Sequence, residues 1–194
     1  MADIPADRAG SRLHGRPELA RLLCAATPVG AIAAQTLGPA CFPVRAILFD
    51  KSEAANWGLG WHQDRTIAVR ERRPIAGFGP WTVKSGIQHV TPPVPILEQM
   101  VTLRVHLDRV PAGNAPLLVV RGSHRLGMVP ESEIDRIVGE AEVVACLADR
   151  GDAWLYRTLI LHASEPAAKP RRRRVLQVDY AAHTLPKGLE FLGL

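Results

Sequence analysis

A histidine and a carboxylate stand two residues apart in Trp61-His62-Gln63-Asp64. On an extended strand alternate side chains share a face, so this spacing points two ligand types at one place. A third donor from a facing strand would complete a 2-His-1-carboxylate face, which suits non-heme Fe(II) and oxygen chemistry because it leaves coordination positions open. His162, carried by the apolar run 158–163, is the candidate third ligand. The same spacing recurs in His106-Leu107-Asp108, so spacing alone does not choose between them. There, the strict alternation of 101–108 places His106 and Asp108 on the face of Thr102 and Arg104, a wet face where hydrogen bonds and salt bridges account for them.

The elements that must position such residues are short and β-like. The stretch 16–27 has helical spacing in Leu19, Leu22, Leu23 and Ala26, with Pro17 in the first turn. Residues 44–49 form a strand, and 61–69 reads as a second one carrying His62 and Asp64 on its way to Val69. The segment 70–86 mixes charges with Pro74, Gly77, Gly79, Pro80 and Trp81 and has no period; following a ligand strand, it reads either as a lid or as a surface insertion with Trp81 tucked onto the core. Strands follow at 101–108 and 117–120, then a short surface helix at 131–139, then strands at 142–147, 153–156, 158–163 and 175–181. The tail 185–194 is expected to flank the barrel or to be partly mobile. Many short strands punctuated by Gly and Pro, with few helices, favour a β-sandwich or jelly roll over an alternating α/β sheet.

Composition narrows the class. The chain has 194 residues, of which 47% are hydrophobic, enough for one domain over 1–194 with its core at about 44–181. The net charge is +5, but four positive charges sit together at Arg171, Arg172, Arg173 and Arg174, without the aromatic interleaving of a nucleic-acid surface. No nucleic-acid partner is expected. Cys24, Cys41 and Cys146 are odd in number and lack a C-x-x-C pair, against both a disulfide framework and a structural zinc site. With no apolar run of membrane-spanning length and no signal-like N-terminus, no membrane partner is expected and the location is read as cytoplasmic. The oligomeric state is expected to be monomer or homodimer.

Three ligands on one face would leave an octahedral metal room for a bidentate cosubstrate and oxygen. A dicarboxylate cosubstrate would need a buried cation at its far end, and a guanidinium is suited to that. The arginine run begins nine residues after His162, so a turn and part of a strand could bring one of the four back beside the metal. A non-catalytic jelly-roll protein that binds a metal or ligand with the same residues stays open, as does a zinc hydrolase.

One resemblance joins these features. Trp61-His62-Gln63-Asp64, then His106-Leu107-Asp108 with Gly113-Asn114, then the run 117–121 before Gly122-Ser123-His124-Arg125, then Leu161-His162-Ala163-Ser164, resembles the phytanoyl-CoA dioxygenase family over about 44–180. The resemblance implies a mainly β, cupin-like double-stranded β-helix with a few short flanking helices. It also implies an Fe(II)- and 2-oxoglutarate-dependent dioxygenase that uses O2 and releases succinate and CO2. It makes His62, Asp64 and His162 the iron ligands and His106 and Asp108 framework. It places the 2-oxoglutarate arginine eleven residues beyond the distal histidine, at Arg173, with Ser164 a second contact and Trp81 near the cosubstrate. The retained Asp64 favours hydroxylation over halogenation, and the expected substrate is a small metabolite or natural-product intermediate.

Overall fold

A computed structural model describes residues 10–194. Among the described residues twelve strands form three antiparallel sheets. In chain order they are β1 (Ser11–Arg12), β2 (Phe42–Lys51), β3 (Leu59–His62), β4 (Ile67–Val69), β5 (Trp81–Lys84), β6 (Ile87–Val90), β7 (Val101–His106), β8 (Leu117–Val120), β9 (Val143–Cys146), β10 (Ala153–Arg157), β11 (His162–Ser164) and β12 (Arg173–Ala181). The larger sheet has the order β1-β2-β12-β7-β10 and the facing one β3-β11-β8-β9, the two layers of a jelly roll; β4-β6-β5 is a separate flank. The fold is thus the mainly β, double-stranded β-helix expected.

The helices are α1 (Pro17–Leu22), α2 (Pro28–Leu37), α3 (Val94–Glu98) and α4 (Ile134–Glu140). The single helix expected over 16–27 ends early, because Thr27 caps a second one: its hydroxyl accepts from the Gly30 amide at 3.2 Å, and Pro28 occupies the first turn. Gly30 lets the two helices touch, since a Cβ there would lie 1.9 Å from the Cys24 carbonyl oxygen. Together they cover the outer face of the larger sheet, where Leu23, Ala33, Ala46, Val101, Leu103 and Val178 form a buried cluster.

That cover corrects the reading of β7. Its polar face is not wet: Thr102, Arg104 and His106 are 0%, 5% and 2% exposed, because the face opposite the helices is the interior of the sandwich. Asp108, just beyond the strand, takes a two-pronged contact from Arg174, with Nε and Nη2 each at 2.8 Å, and also accepts from the Arg174 amide. This is framework.

Two further expectations change. The strand expected over 61–69 is two strands in different sheets, β3 and β4, with Asp64 in the connection between them. Of the segment 70–86, residues 81–86 fold into β5 and its turn, paired through β6 to β4, and 70–80 stay without regular structure; with Trp81 packed on the core the segment is the surface insertion rather than the lid. The tail is anchored: Leu185, Leu189 and Phe191 are buried. Leu192 donates to Ala68 at 2.9 Å and Arg70 to Glu190 at 3.1 Å, so the end of the chain lies along β4 like an added strand.

Candidate metal centre

His62 and His162 are cross-strand partners in the antiparallel pairing of β3 with β11, and their ring centroids are 4.2 Å apart. Asp64 reaches the same point from beyond the end of β3. One donor atom from each of His62, Asp64 and His162 lies within 4.8 Å of the others. The residue between them holds the arrangement. Gln63, 5% exposed, donates to the carbonyls of Gly127 at 2.8 Å and Leu159 at 2.6 Å and accepts from the Val129 amide at 2.8 Å. It pins the chain where it leaves the strand, so His62 and Asp64 converge without strand alternation.

The donor set fits a metal ion at the level of individual atoms. His62 Nδ1 lies 2.7 Å from the Gly60 carbonyl and His162 Nδ1 lies 3.0 Å from that of Ile160. Each carbonyl fixes the tautomer with the proton on Nδ1, which leaves Nε2 as a lone-pair donor. Burial, only partly opposed by the Asp64 charge, pushes the His162 pKa down to about 4, so its ring is neutral at physiological pH. Arg45 Nη2 at 3.1 Å and Gln177 Nε2 at 3.3 Å both bond Asp64 Oδ2, leaving Oδ1 for coordination. Burial of Asp64 raises its pKa, but Arg45, with His162 and His62 behind it, outweighs that and holds it at about 2. Two imidazole nitrogens and one carboxylate with open positions suit Fe(II).

A cavity of about 90 Å³ adjoins the three donors, between the two sheets. Strand alternation supplies its walls: Arg45, Ile47 and Phe49 from β2, Arg104 from β7, and Arg173 and Gln177 from β12. Arg173, 1% exposed, donates to the Ala115 carbonyl, and its Nε has no partner. Burial, then the nearby Arg104, lowers its pKa to about 10, still charged at neutral pH. Ser164 lines the same cavity, and its hydroxyl accepts from Lys51 Nζ at 3.0 Å.

Of the expected site residues, His62, Asp64, His162, Ser164 and Arg173 therefore share one cavity. Trp81 does not line it. That side chain packs against the buried cluster of Val44, Ile67, Val69 and Val90, with the Arg72 guanidinium 5.7 Å from its ring centroid. The tryptophan that lines the cavity is Trp57, stacked between Phe49 at 5.9 Å and the Lys51 ammonium at 4.4 Å, its indole nitrogen buried without a partner. Arg45, Arg104 and Gln177 also escaped sequence reasoning. Their only signal was polarity at alternate positions of otherwise apolar strands.

The model of the family described as phytanoyl-CoA dioxygenase matches residues 1–175. The chain belongs to the phytanoyl-CoA dioxygenase family. No curated protein matches it in sequence. Solved structures that resemble it include the non-heme monooxygenase ThoJ in a nickel complex, at 23% identity and TM-score 0.55, covering 80% of this chain and 50% of that one. EctD from S. alaskensis with bound Fe matches at 18% identity and TM-score 0.63, covering 93% of this chain and 57% of that one. SnoN, a non-heme alpha-ketoglutarate-dependent epimerase from nogalamycin biosynthesis, matches at 17% and 0.59, covering 92% and 64%. At these identities the likeness is one of fold. The chain spans half to two thirds of the length of these neighbours.

Proposed function

We propose that this family member is an Fe(II)- and 2-oxoglutarate-dependent oxygenase that hydroxylates a small molecule. The observation that carries the reading is the convergence of His62, Asp64 and His162, each histidine tied back through Nδ1, beside a cavity that ends on the buried Arg173. In this reading His62 Nε2, His162 Nε2 and Asp64 Oδ1 hold the iron, which supplies with O2 the oxidising power for decarboxylation of 2-oxoglutarate to succinate and CO2 and for insertion of oxygen into the substrate.

The chain itself supplies position and charge. Arg173 and Ser164 hold the distal carboxylate of 2-oxoglutarate, and Trp57 takes the cosubstrate-side place expected of Trp81. Arg45 and Gln177 keep Asp64 ionised and turned toward the metal. The apolar walls of Ile47, Phe49 and Leu117 keep water from the reacting atoms. No helix among the described residues is long and apolar enough to cross a membrane. The thiols of Cys24, Cys41 and Cys146 are free, which supports a reducing, cytoplasmic location.

The test is anaerobic. Adding Fe(II) and then 2-oxoglutarate to the folded protein should give the visible charge-transfer band of the chelate. A folded, iron-loaded protein without that band would overturn the oxygenase reading in favour of a non-catalytic binding protein.

A further inference from the structure

Arg45, Arg104 and Arg173 line the cavity beside the metal donors, and Lys51 bonds Ser164 on its wall. Arg45 is matched by two carboxylates, Asp64 and Asp179. The other three cations meet no carboxylate among the described residues: Lys51 bonds the Ser164 hydroxyl and the Glu165 carbonyl, Arg173 the Ala115 carbonyl, and Arg104 the Gln177 amide oxygen. A buried charge without a counter-charge is costly, so this set calls for an anion. Lys51 and Arg173 are register partners and answer to one carboxylate. Arg104 is left over.

Arg104 stands nearer the metal donors. It is 5% exposed and faces Gln177 across the β7–β12 ladder, on the face of β12 that also carries Arg173 about 13 Å away along the strand. Its Nη1 donates to Gln177 Oε1 at 2.6 Å, and Gln177 Nε2 donates in turn to Asp64 Oδ2 at 3.3 Å, so one side chain separates it from a metal donor. The Phe49 ring backs its guanidinium at 5.2 Å, and its Nε is buried without a partner. After burial, the largest cause in each case, the charge of Arg104 helps to lower the pKa values of Arg173 at one end of the cavity and His162 at the other.

We propose that Arg104 is the second guanidinium of the cosubstrate site, pairing with the carboxylate next to the keto group of 2-oxoglutarate while Arg173 and Lys51 take the distal one. The chain then grips both ends of a 2-oxo dicarboxylate by itself, and the cosubstrate binds with or without a metal. This rests on reading the cavity as the 2-oxoglutarate site. An Arg104 that only turned the Gln177 amide toward Asp64 would act on every ligand alike.

Calorimetry on the full chain, freed of metal by a chelator, tests this, because no metal then competes for the keto-side carboxylate. Three ligands are compared: 2-oxoglutarate; 4-oxopentanoate, in which a methyl replaces the keto-side carboxylate; and 2-oxopentanoate, in which a methyl replaces the distal one. The parent should bind 2-oxoglutarate about tenfold or more tightly than 4-oxopentanoate. Arg104→Gln, which keeps an amide donor for Gln177 but loses the charge, should remove that preference, leave the affinity for 4-oxopentanoate within about twofold and keep the preference over 2-oxopentanoate. Arg104→Lys should restore part of it.

Equal affinity of the parent for 2-oxoglutarate and 4-oxopentanoate, a result that needs no variant to fold, overturns the proposal. So does an Arg104→Gln protein that keeps the preference or loses affinity for all three ligands alike. If the charge-transfer band still forms with iron and 2-oxoglutarate, those outcomes leave the oxygenase reading standing. A parent that neither binds 2-oxoglutarate nor gives the band overturns both.

Discussion

Lys51 and Arg173 sit directly opposite one another in the β2–β12 ladder, and both are buried, at 2% and 1% exposure. Like charges opposite each other repel, and here burial adds to the repulsion. Burial first, then Arg173 and Arg104, lowers the Lys51 pKa to about 8. A dicarboxylate in the neighbouring cavity would favour the charged lysine.

The sign of the pH dependence follows. The ammonium attracts the dianion, and the protein without ligand loses it as pH rises through about 8. Affinity for 2-oxoglutarate, measured by calorimetry, should be flat below pH 7 and fall severalfold by pH 9. Lys51→Met should bind more weakly at pH 7 and show a flatter profile.

Arg173→Ala should weaken 2-oxoglutarate binding by tenfold or more while iron binding is kept, since a charge-assisted contact contributes about 1.5–3 kcal/mol. Arg171 is exposed, and its backbone amide donates to Asn114 at 3.1 Å. Arg171→Ala should therefore leave the affinity unchanged. Equal losses would assign the carboxylate to the wrong arginine.

Gln63 is the structural residue of the tetrapeptide that carries His62 and Asp64. Gln63→Leu strands the Val129 amide and the Gly127 and Leu159 carbonyls, and at about 1–3 kcal/mol for each of these groups left unmet the loss should be at least about 3 kcal/mol in urea unfolding. Because the bonds also place Asp64, metal affinity should fall in the protein that remains folded. Stability lost with metal affinity intact would show that the glutamine braces only the core.

His106 makes a prediction in acid. Both ring nitrogens are buried without partners, and burial, then Arg104 and Arg173, lowers its pKa to about 4. The unfolded chain takes up a proton near pH 6.5, whereas the folded protein resists until about pH 4. Between those values the unfolded state binds more protons, so stability rises with pH and is lost as pH falls from 6.5 toward 4. Urea titrations at pH 7 and pH 5 should differ by less in His106→Gln than in the parent.

The strands were legible where composition repeats locally. The run 117–120 and the strictly alternating 101–106 appear where expected, because β-branched and apolar residues bounded by turns leave little else to form. The wet face assigned to β7 was misjudged for a physical reason: alternation separates two faces, but a polar interior and a solvent face look alike in one dimension. Helix α2 was missed although Thr27-Pro28 is a capping signal, since the Thr was taken as the end of the preceding helix. For the site, His62, Asp64, His162, Ser164 and Arg173 could be named through the family likeness. Trp81 was named and Trp57 was not, because which tryptophan faces the cavity depends on β5 pairing with β6 far from the metal. Arg45 and Gln177 lie 19 and 113 residues from Asp64, and no local pattern joins them.

The antiparallel strip formed when residues 190–192 lie along β4 bears on how the protein matures. β4 follows directly on the connection that carries Asp64, and β12, which closes the larger sheet between β2 and β7, is made after residue 172. Synthesis proceeds from the N-terminus, so β4 can pair with β6 early, whereas the strip along β4 and the β12 ladder wait until most of the chain has emerged. Contacts of such long sequence separation also assemble slowly. His62 and Asp64 therefore wait for His162, which lies 100 residues beyond His62 along the chain, before the three donors can converge.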